Sequence, residues 1–282
     1  MENTKNSAPL RVAIQGYEGS FHQIVAENYF DRGLEIVPCA TFREVAQQVK
    51  SGAVQYGVMA VENSIAGSII ANYGILQDAD LQVAGEEYLH ITQNLMALPG
   101  TRLEHIKEVQ SHPMALLQCH NFLDQHPSWK LVESEDTALS AKIIAEQGLT
   151  GVAGIASRRA AELFGLEIVA PEINTIKQNY TRFMIIKMHD LLTDPAANKA
   201  SLYFKTDHRQ GSLVRALGVL DGLNMSRLQS YPIPSEPWHY LFHIDLEFAS
   251  MSDYAANLER LVRETKEVHV YGVYQNGLSK QN

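Results

Sequence analysis

Residues 179–183, Asn-Tyr-Thr-Arg-Phe, and residues 61–67, Val-Glu-Asn-Ser-Ile-Ala-Gly, decide the reading of this chain. Each puts small polar side chains where an apolar run meets a turn. The runs at 56–61 (Tyr-Gly-Val-Met-Ala-Val) and 183–188 (Phe-Met-Ile-Ile-Lys-Met) read as buried strands. The polar groups are therefore expected at strand ends, where open α/β sheets place ligands. A hydroxyl, a carboxyl, two amides and a guanidinium meet there on this reading.

Working outward, short apolar runs alternate with helical patterns from residue 11 to 188. Arg11–Gln15 reads as a strand leading into Gly16-Tyr17-Glu18-Gly19, a turn that opens a helix capped by Ser20. Leu34–Pro38 is a second strand, and Thr41-Phe42-Arg43-Glu44 has the spacing of a capping box. Further strands are expected near 81–97 and at Ile106–Gln110, Trp129–Val132 and Gly151–Ala156, with helices after Gly67, at Pro113, at 136–146 and from Ser157. Such alternation indicates parallel sheets with helices on their faces. Its length, with a second βα series from about 106, predicts two lobes and a cleft over residues 10–190.

Leu191–Lys199 reads as a linker, and the pattern then changes. Over 200–276 a strand, a helical stripe, two strands, a helix and a strand follow one another. In the third strand Tyr240, Phe242, Ile244, Leu246 and Phe248 alternate with polar residues, so one face is buried. That order, βαββαβ, is a ferredoxin-like unit.

Composition sets the outer limits. The chain has 282 residues, 45% hydrophobic and 20% charged, enough for one large domain and a small one with real cores. Its net charge of −9 disfavours nucleic acid and anionic membrane as partners. Two cysteines, Cys39 and Cys119, offer neither metal-ligand spacing nor a disulfide framework. The polar start, Met-Glu-Asn-Thr-Lys-Asn-Ser, is unlike a signal peptide, and no apolar run reaches membrane-spanning length. A cytoplasmic protein is expected.

Four segments carry a family resemblance. Thr181-Arg182-Phe183 matches the Thr-Arg-Phe motif that closes the catalytic domain of prephenate dehydratases. Glu62-Asn63-Ser64 with Gly67 matches their Glu-Asn-Ser-x-x-Gly, although Ala60 stands where proline is usual. His112-Pro113-Met114 with Gln118-Cys119 is similar to His-Pro-Gln-x-x-x-Gln-Cys, with Met114 in place of glutamine. Gly16 to His22 resembles the Gly-Pro-x-Gly-[Ser/Thr]-[Phe/Tyr] opening, with Tyr17 for proline and His22 where a hydroxyl residue is common. Taken singly each has a plain structural reading: a β-forming threonine, a turn, a helix cap, a small buried cysteine.

The resemblance implies a two-lobed, periplasmic-binding-protein-like catalytic domain over 10–190 and an ACT regulatory domain over 200–276. It implies the conversion of prephenate to phenylpyruvate, water and carbon dioxide in phenylalanine biosynthesis. No metal or cofactor is expected, because positioning and a proton donor suffice for a reaction that makes the ring aromatic. Thr181, Glu62, Asn63 and Gln118 are the expected catalytic residues. Ser20, Ser64, Gly67, Arg182 and Phe183 are expected to bind substrate, with Arg182 pairing a carboxylate. The proton donor is left between Thr181 and Glu62, a carboxyl that would act if buried and protonated.

Regulatory phenylalanine is expected at Gly211, Ser212, Leu213, Val214, Asn224 and Ser230, although Gln229-Ser230-Tyr231-Pro232 departs from the family's Glu-Ser-Arg-Pro. A homodimer or homotetramer is expected. Arogenate is a rival substrate, and a non-catalytic anion sensor a rival function for the same two-lobed cleft.

Overall fold

The computed structural model describes residues 9–30, 33–190, 194–233 and 236–280. The polar start, residues 191–193 of the expected linker and Pro234 lie outside them. The chain divides into two compact units. One holds the residues up to Asn72 together with Tyr88–Phe183, and the other holds Tyr73–Glu87 together with the residues from Met184 onward.

The first half of the chain supplies β1 (Leu10–Gln15), α1 (Phe21–Tyr29), β2 (Leu34–Cys39), α2 (Phe42–Lys50), β3 (Tyr56–Asn63), β4 (Gly67–Ser68), α3 (Ile70–Ala79), β5 (Gln82–His90) and β6 (Asn94–Ala97). Then come β7 (Glu108–Ser111), α4 (Pro113–Gln118), α5 (His120–Leu123), β8 (Lys130–Glu133), α6 (Thr137–Gln147), β9 (Val152–Ala156), α7 (Arg158–Phe164), β10 (Glu167–Ala170) and β11 (Tyr180–Lys187). One sheet runs β2-β1-β3-β11-β5 with β4 on β3; the other runs β10-β6-β9-β7-β8.

Local chemistry places the helices. Thr41 Oγ1 accepts from Glu44 N at 3.1 Å and the Glu44 carboxylate accepts from Ala40 N at 2.8 Å, so the expected capping signal starts α2. Its Val45, Ala46 and Val49 are buried, the face that helical periodicity assigns to the core. Ser157 caps α7 and also donates to Gly19 O at 2.6 Å. Around the second sheet Leu95, Val109, Leu116, Cys119, Ala153 and Ile155 form one core cluster.

The sheets are mixed, not purely parallel. β1 pairs in parallel with β2 and β3, and β7 with β8 and β9, as the alternation predicts. β6, however, pairs antiparallel with both β9 and β10. Only Ile91, Thr92 and Gln93 separate β5 from β6. β6 thus enters the second sheet directly from the first. The returning segment before β11 is laced to it. Asn174 accepts from Gln93 N at 2.7 Å and donates to Ile91 O at 3.1 Å, while Ile91 N donates to Asn179 O at 2.7 Å. Asn174 is buried, so removing its amide would strand these backbone groups at a cost of about 1–3 kcal/mol.

The second unit contains β12 (Lys199–Lys205), α8 (Ser212–Gly218), β13 (Asn224–Pro232), β14 (Tyr240–Glu247), α9 (Met251–Glu264) and β15 (Glu267–Tyr274). Its antiparallel sheet runs β13-β14-β12-β15, the expected βαββαβ arrangement. Leu202, Phe204, Ile244 and Leu246 on the sheet meet Ala216 and Leu220 of the α8 segment and Leu261 of α9. Residues 73–87 pack in this same unit. A Cβ on Gly272 would lie 2.1 Å from Val83 O, so only glycine admits that approach. Lys199 Nζ pairs with Glu86 at 2.9 Å, both side chains at most 2% exposed, and Gly277 N donates to the same carboxylate. Lys199, the last residue of the expected linker, is thus a buried strand residue.

Candidate active site

β3 and β11 bring the two quoted stretches together. Ser64 N donates to Tyr180 O at 2.8 Å, and Ser64 Oγ accepts from Tyr180 N at 2.9 Å. This clamps the end of β3 to the start of β11. β11 begins at Tyr180, three residues before the expected strand, so Thr181 lies inside it. Alternation along a strand then sorts the motif onto two faces. Thr181 and Phe183 line a cavity, and Arg182 does not. The same rule separates Asn63, which lines it, from Glu62, which does not.

A chain of amides ends on the threonine. Asn63 Oδ1 accepts from Ile65 N and Ala66 N at 3.0 and 2.9 Å, which fixes the orientation of its amide. Its Nδ2 therefore donates, to Thr181 Oγ1 at 2.9 Å and to Asn179 Oδ1 at 2.7 Å. Asn179 Nδ2 in turn donates to Gln118 Oε1 at 3.0 Å. Two consequences follow. The Thr181 oxygen has accepted a hydrogen bond, so its own O–H remains available to the cavity. Gln118, at the end of α4, keeps both amide hydrogens for a ligand.

The cavity has a volume of about 210 Å³, opens to solvent and lies wholly within the first unit. Ser20 at the start of α1, His112 and Met114 at the start of α4, and Asp136 and Thr137 at the start of α6 border it. Ser20, His112 and Asp136 cap these helices and accept from the first-turn amides of Gln23, Met114, Ala138 and Leu139, while Glu135 and Asp136 bring two carboxyls to the lining. Gln93 adds a buried amide whose Oε1 has no hydrogen-bond partner. His22 packs edge-on to Phe183 at 5.0 Å, and burial lowers its pKa to about 4. It is neutral at pH 7.

Of the nine expected catalytic and substrate-binding residues, Thr181, Asn63, Gln118, Ser20 and Phe183 line the cavity. Glu62, Ser64, Gly67 and Arg182 are not among its lining residues. Arg182 was expected to hold a substrate carboxylate. Instead it is 3% exposed on the opposite strand face, with Glu62 at 3.9 Å and the Tyr88 ring below its guanidinium at 5.9 Å. Glu62, the expected rival acid, sits beside that cation and outside the cavity. Gly67 shapes the β3–β4 turn at φ +81°. Cys119 is free and buried, and desolvation pushes its thiol up to about 12, so it is packing and no nucleophile.

Sequence reasoning missed Asn179 as the middle of the amide chain, His22 as a lining residue, and Asp136. Asp136 reads in the sequence only as the start of a helix over 136–146, which says nothing about what its side chain borders. Asn179 was in the opening stretch, but its partner is 61 residues away in sequence.

In the second unit, Ser212 and Leu213 border a cavity with Thr206, Asp207, His208, Arg209, Gln210 and Phe242. Gly211 (φ +77°) caps α8, and Val214 is 73% exposed. Asn224 donates to Glu247 at 2.8 Å, and Ser230 pairs in register with Phe242. Gly211, Val214, Asn224 and Ser230 are not among that cavity's lining residues. Among the described residues no cluster of His, Cys, Asp and Glu could hold a metal ion, and no helix is long and apolar enough to cross a membrane.

A mixed α/β fold with a hydroxyl–amide chain lining one cavity makes a polar small-molecule site. The prephenate dehydratase family model matches residues 12–191, and the chain belongs to that family. A bifunctional chorismate mutase/prephenate dehydratase of Escherichia coli (strain K12) is 32% identical over 282 residues, covering 96% of this chain and 72% of the relative. The solved structure of prephenate dehydratase from Arthrobacter aurescens in complex with L-Phe superposes with TM-score 0.85 and 26% identity, over 95% of this chain and 90% of that one. A structure described as a novel type of quorum quenching acylase, GqqA, gives 0.86 and 28%, over 96% and 99%.

Proposed function

We propose that the cavity carries out the decarboxylating dehydration of prephenate, with the Thr181 hydroxyl hydrogen-bonded to the departing ring hydroxyl. The observation that carries this is the Asn63–Thr181 hydrogen bond, which leaves the threonine hydrogen free for a ligand. Gln118 orients a substrate carboxylate. Loss of carbon dioxide and water makes the ring aromatic, so the site has to position one proton donor and hold the ring carboxylate ready to leave. The free, buried cysteines agree with a reducing compartment such as the cytoplasm. Phenylpyruvate formation from prephenate, wild type beside Thr181→Val, tests the reading. Turnover of arogenate alone would replace the substrate, and binding without turnover of either would favour the sensor. The likeness to the acylase adds an N-acyl amide as a control substrate.

The proposal extends to the second unit as an ACT domain that binds phenylalanine and joins copies into a dimer or tetramer. Its βαββαβ sheet and the cavity beside Ser212 support this. So does the L-Phe bound to the Arthrobacter aurescens relative. Calorimetry with millimolar phenylalanine tests it, and absence of heat would reject it.

A further inference from the structure

We infer that Asp136 is the acid that protonates the departing hydroxyl, an assignment that rests on the dehydratase reading of the same cavity. Asp136 borders the cavity together with Thr181. As the cap of α6 it accepts from Ala138 N at 2.7 Å and Leu139 N at 3.0 Å, both on Oδ1. A proton on this carboxyl therefore belongs on Oδ2. That oxygen lies against Gly16, where a Cβ would come within 2.6 Å of it, so only glycine at 16 leaves the acid room.

The other groups around the cavity fit the role less well. Glu62 is outside it. Neutral His22 would have to become an imidazolate to donate, and the threonine hydroxyl is a weak acid. Burial already raises the Asp136 pKa, against the opposing pull of its two backbone hydrogen bonds and of His112. Glu135, its neighbour, pushes it up as well. Tyr17, Cys39 and His22 also line the cavities that Asp136 borders, and burial lowers the His22 pKa to about 4. A dianionic substrate would favour the protonated acid further.

In the step itself, the Asp136 proton moves to the leaving oxygen and the carbon–oxygen bond breaks, its electron pair departing with water. The bond from ring to carboxylate breaks in the same sense. Its pair enters the ring, and carbon dioxide leaves. Asp136, now a carboxylate, takes a proton back from water. Asp136 also borders a second cavity, with Gln15, Gly16, Tyr17, Cys39 and Glu135.

The test is the pH dependence of kcat from about pH 5 to 9 for wild type, Asp136→Asn and Glu135→Gln. Asparagine is an equally good helix cap, so α6 is kept while the acid is removed. Wild type should lose kcat as pH rises through a carboxyl value. Asp136→Asn should be about 10²–10⁴-fold slower and lack that limb, with an unchanged melting temperature. Glu135→Gln should keep the limb but move it to lower pH, because that carboxylate helps to raise the Asp136 pKa. Asp136→Asn that turns over at the wild-type rate with the same limb would overturn this assignment and leave the dehydratase reading intact. Wild type inactive on prephenate would overturn both.

Discussion

The side-chain amide of Asn63 donates to Thr181 Oγ1 at 2.9 Å across 118 residues of sequence. The direction of that bond matters more than its length, because it decides where the threonine hydrogen points. Asn63→Asp keeps an oxygen acceptor for Ile65 N and Ala66 N, but offers Thr181 an acceptor in place of a donor. The hydroxyl then turns back toward residue 63. We expect kcat to fall by about 10²-fold, the size of one misdirected group in proton transfer, while KM changes much less. Steady-state kinetics of the variant check this.

Glu62→Gln separates the two faces of the strands. Glu62 lies beside Arg182 and outside the cavity, so kcat should stay within about threefold of wild type, with the pH profile unchanged. Its partner Arg182 is only 3% exposed, so any cost of losing the carboxylate should appear in the melting temperature and not in kcat. A large loss of kcat, or a lost ionisation in the profile, would return Glu62 to the site.

Two histidines set the acid side of the stability curve. His22 in the first unit and His243 in the second have folded pKa values near 4, lowered chiefly by burial, against 6.5 unfolded. Between those values the unfolded chain binds more protons than the folded one. Stability is therefore complete above pH 6.5 and lost as pH falls toward 4. Thermal unfolding from pH 7.5 to 4.5 should show melting temperature falling in that window. His22→Gln and His243→Gln should each flatten the fall.

The parts legible in the sequence are those fixed by local chemistry. Continuous apolar runs such as Gly57 to Val61 announce strands, and Thr41 with Glu44 announces a helix start. The βαββαβ order was readable because Tyr240 to Phe248 alternates so cleanly. What escaped depends on distant partners. Four residues, Glu167–Ala170, are too few to signal β10, and nothing local to Asn94 shows that β6 runs antiparallel. Residues 73–87 join the second unit because of Val83 against Gly272 and Glu86 against Lys199. Within the site, the motif letters named Thr181, Asn63 and Gln118, which line one cavity. They did not separate Arg182 from its neighbours, since that depends on β11 already having begun at Tyr180.

The most direct measurement is phenylpyruvate formation from prephenate by wild type and Thr181→Val, each checked for an unchanged circular dichroism spectrum. Valine keeps the volume and β-branching of threonine and removes only the hydroxyl that Asn63 orients. The account predicts turnover by wild type and a loss of at least about 10²-fold in kcat for the variant. A folded Thr181→Val enzyme working at the wild-type rate would contradict it.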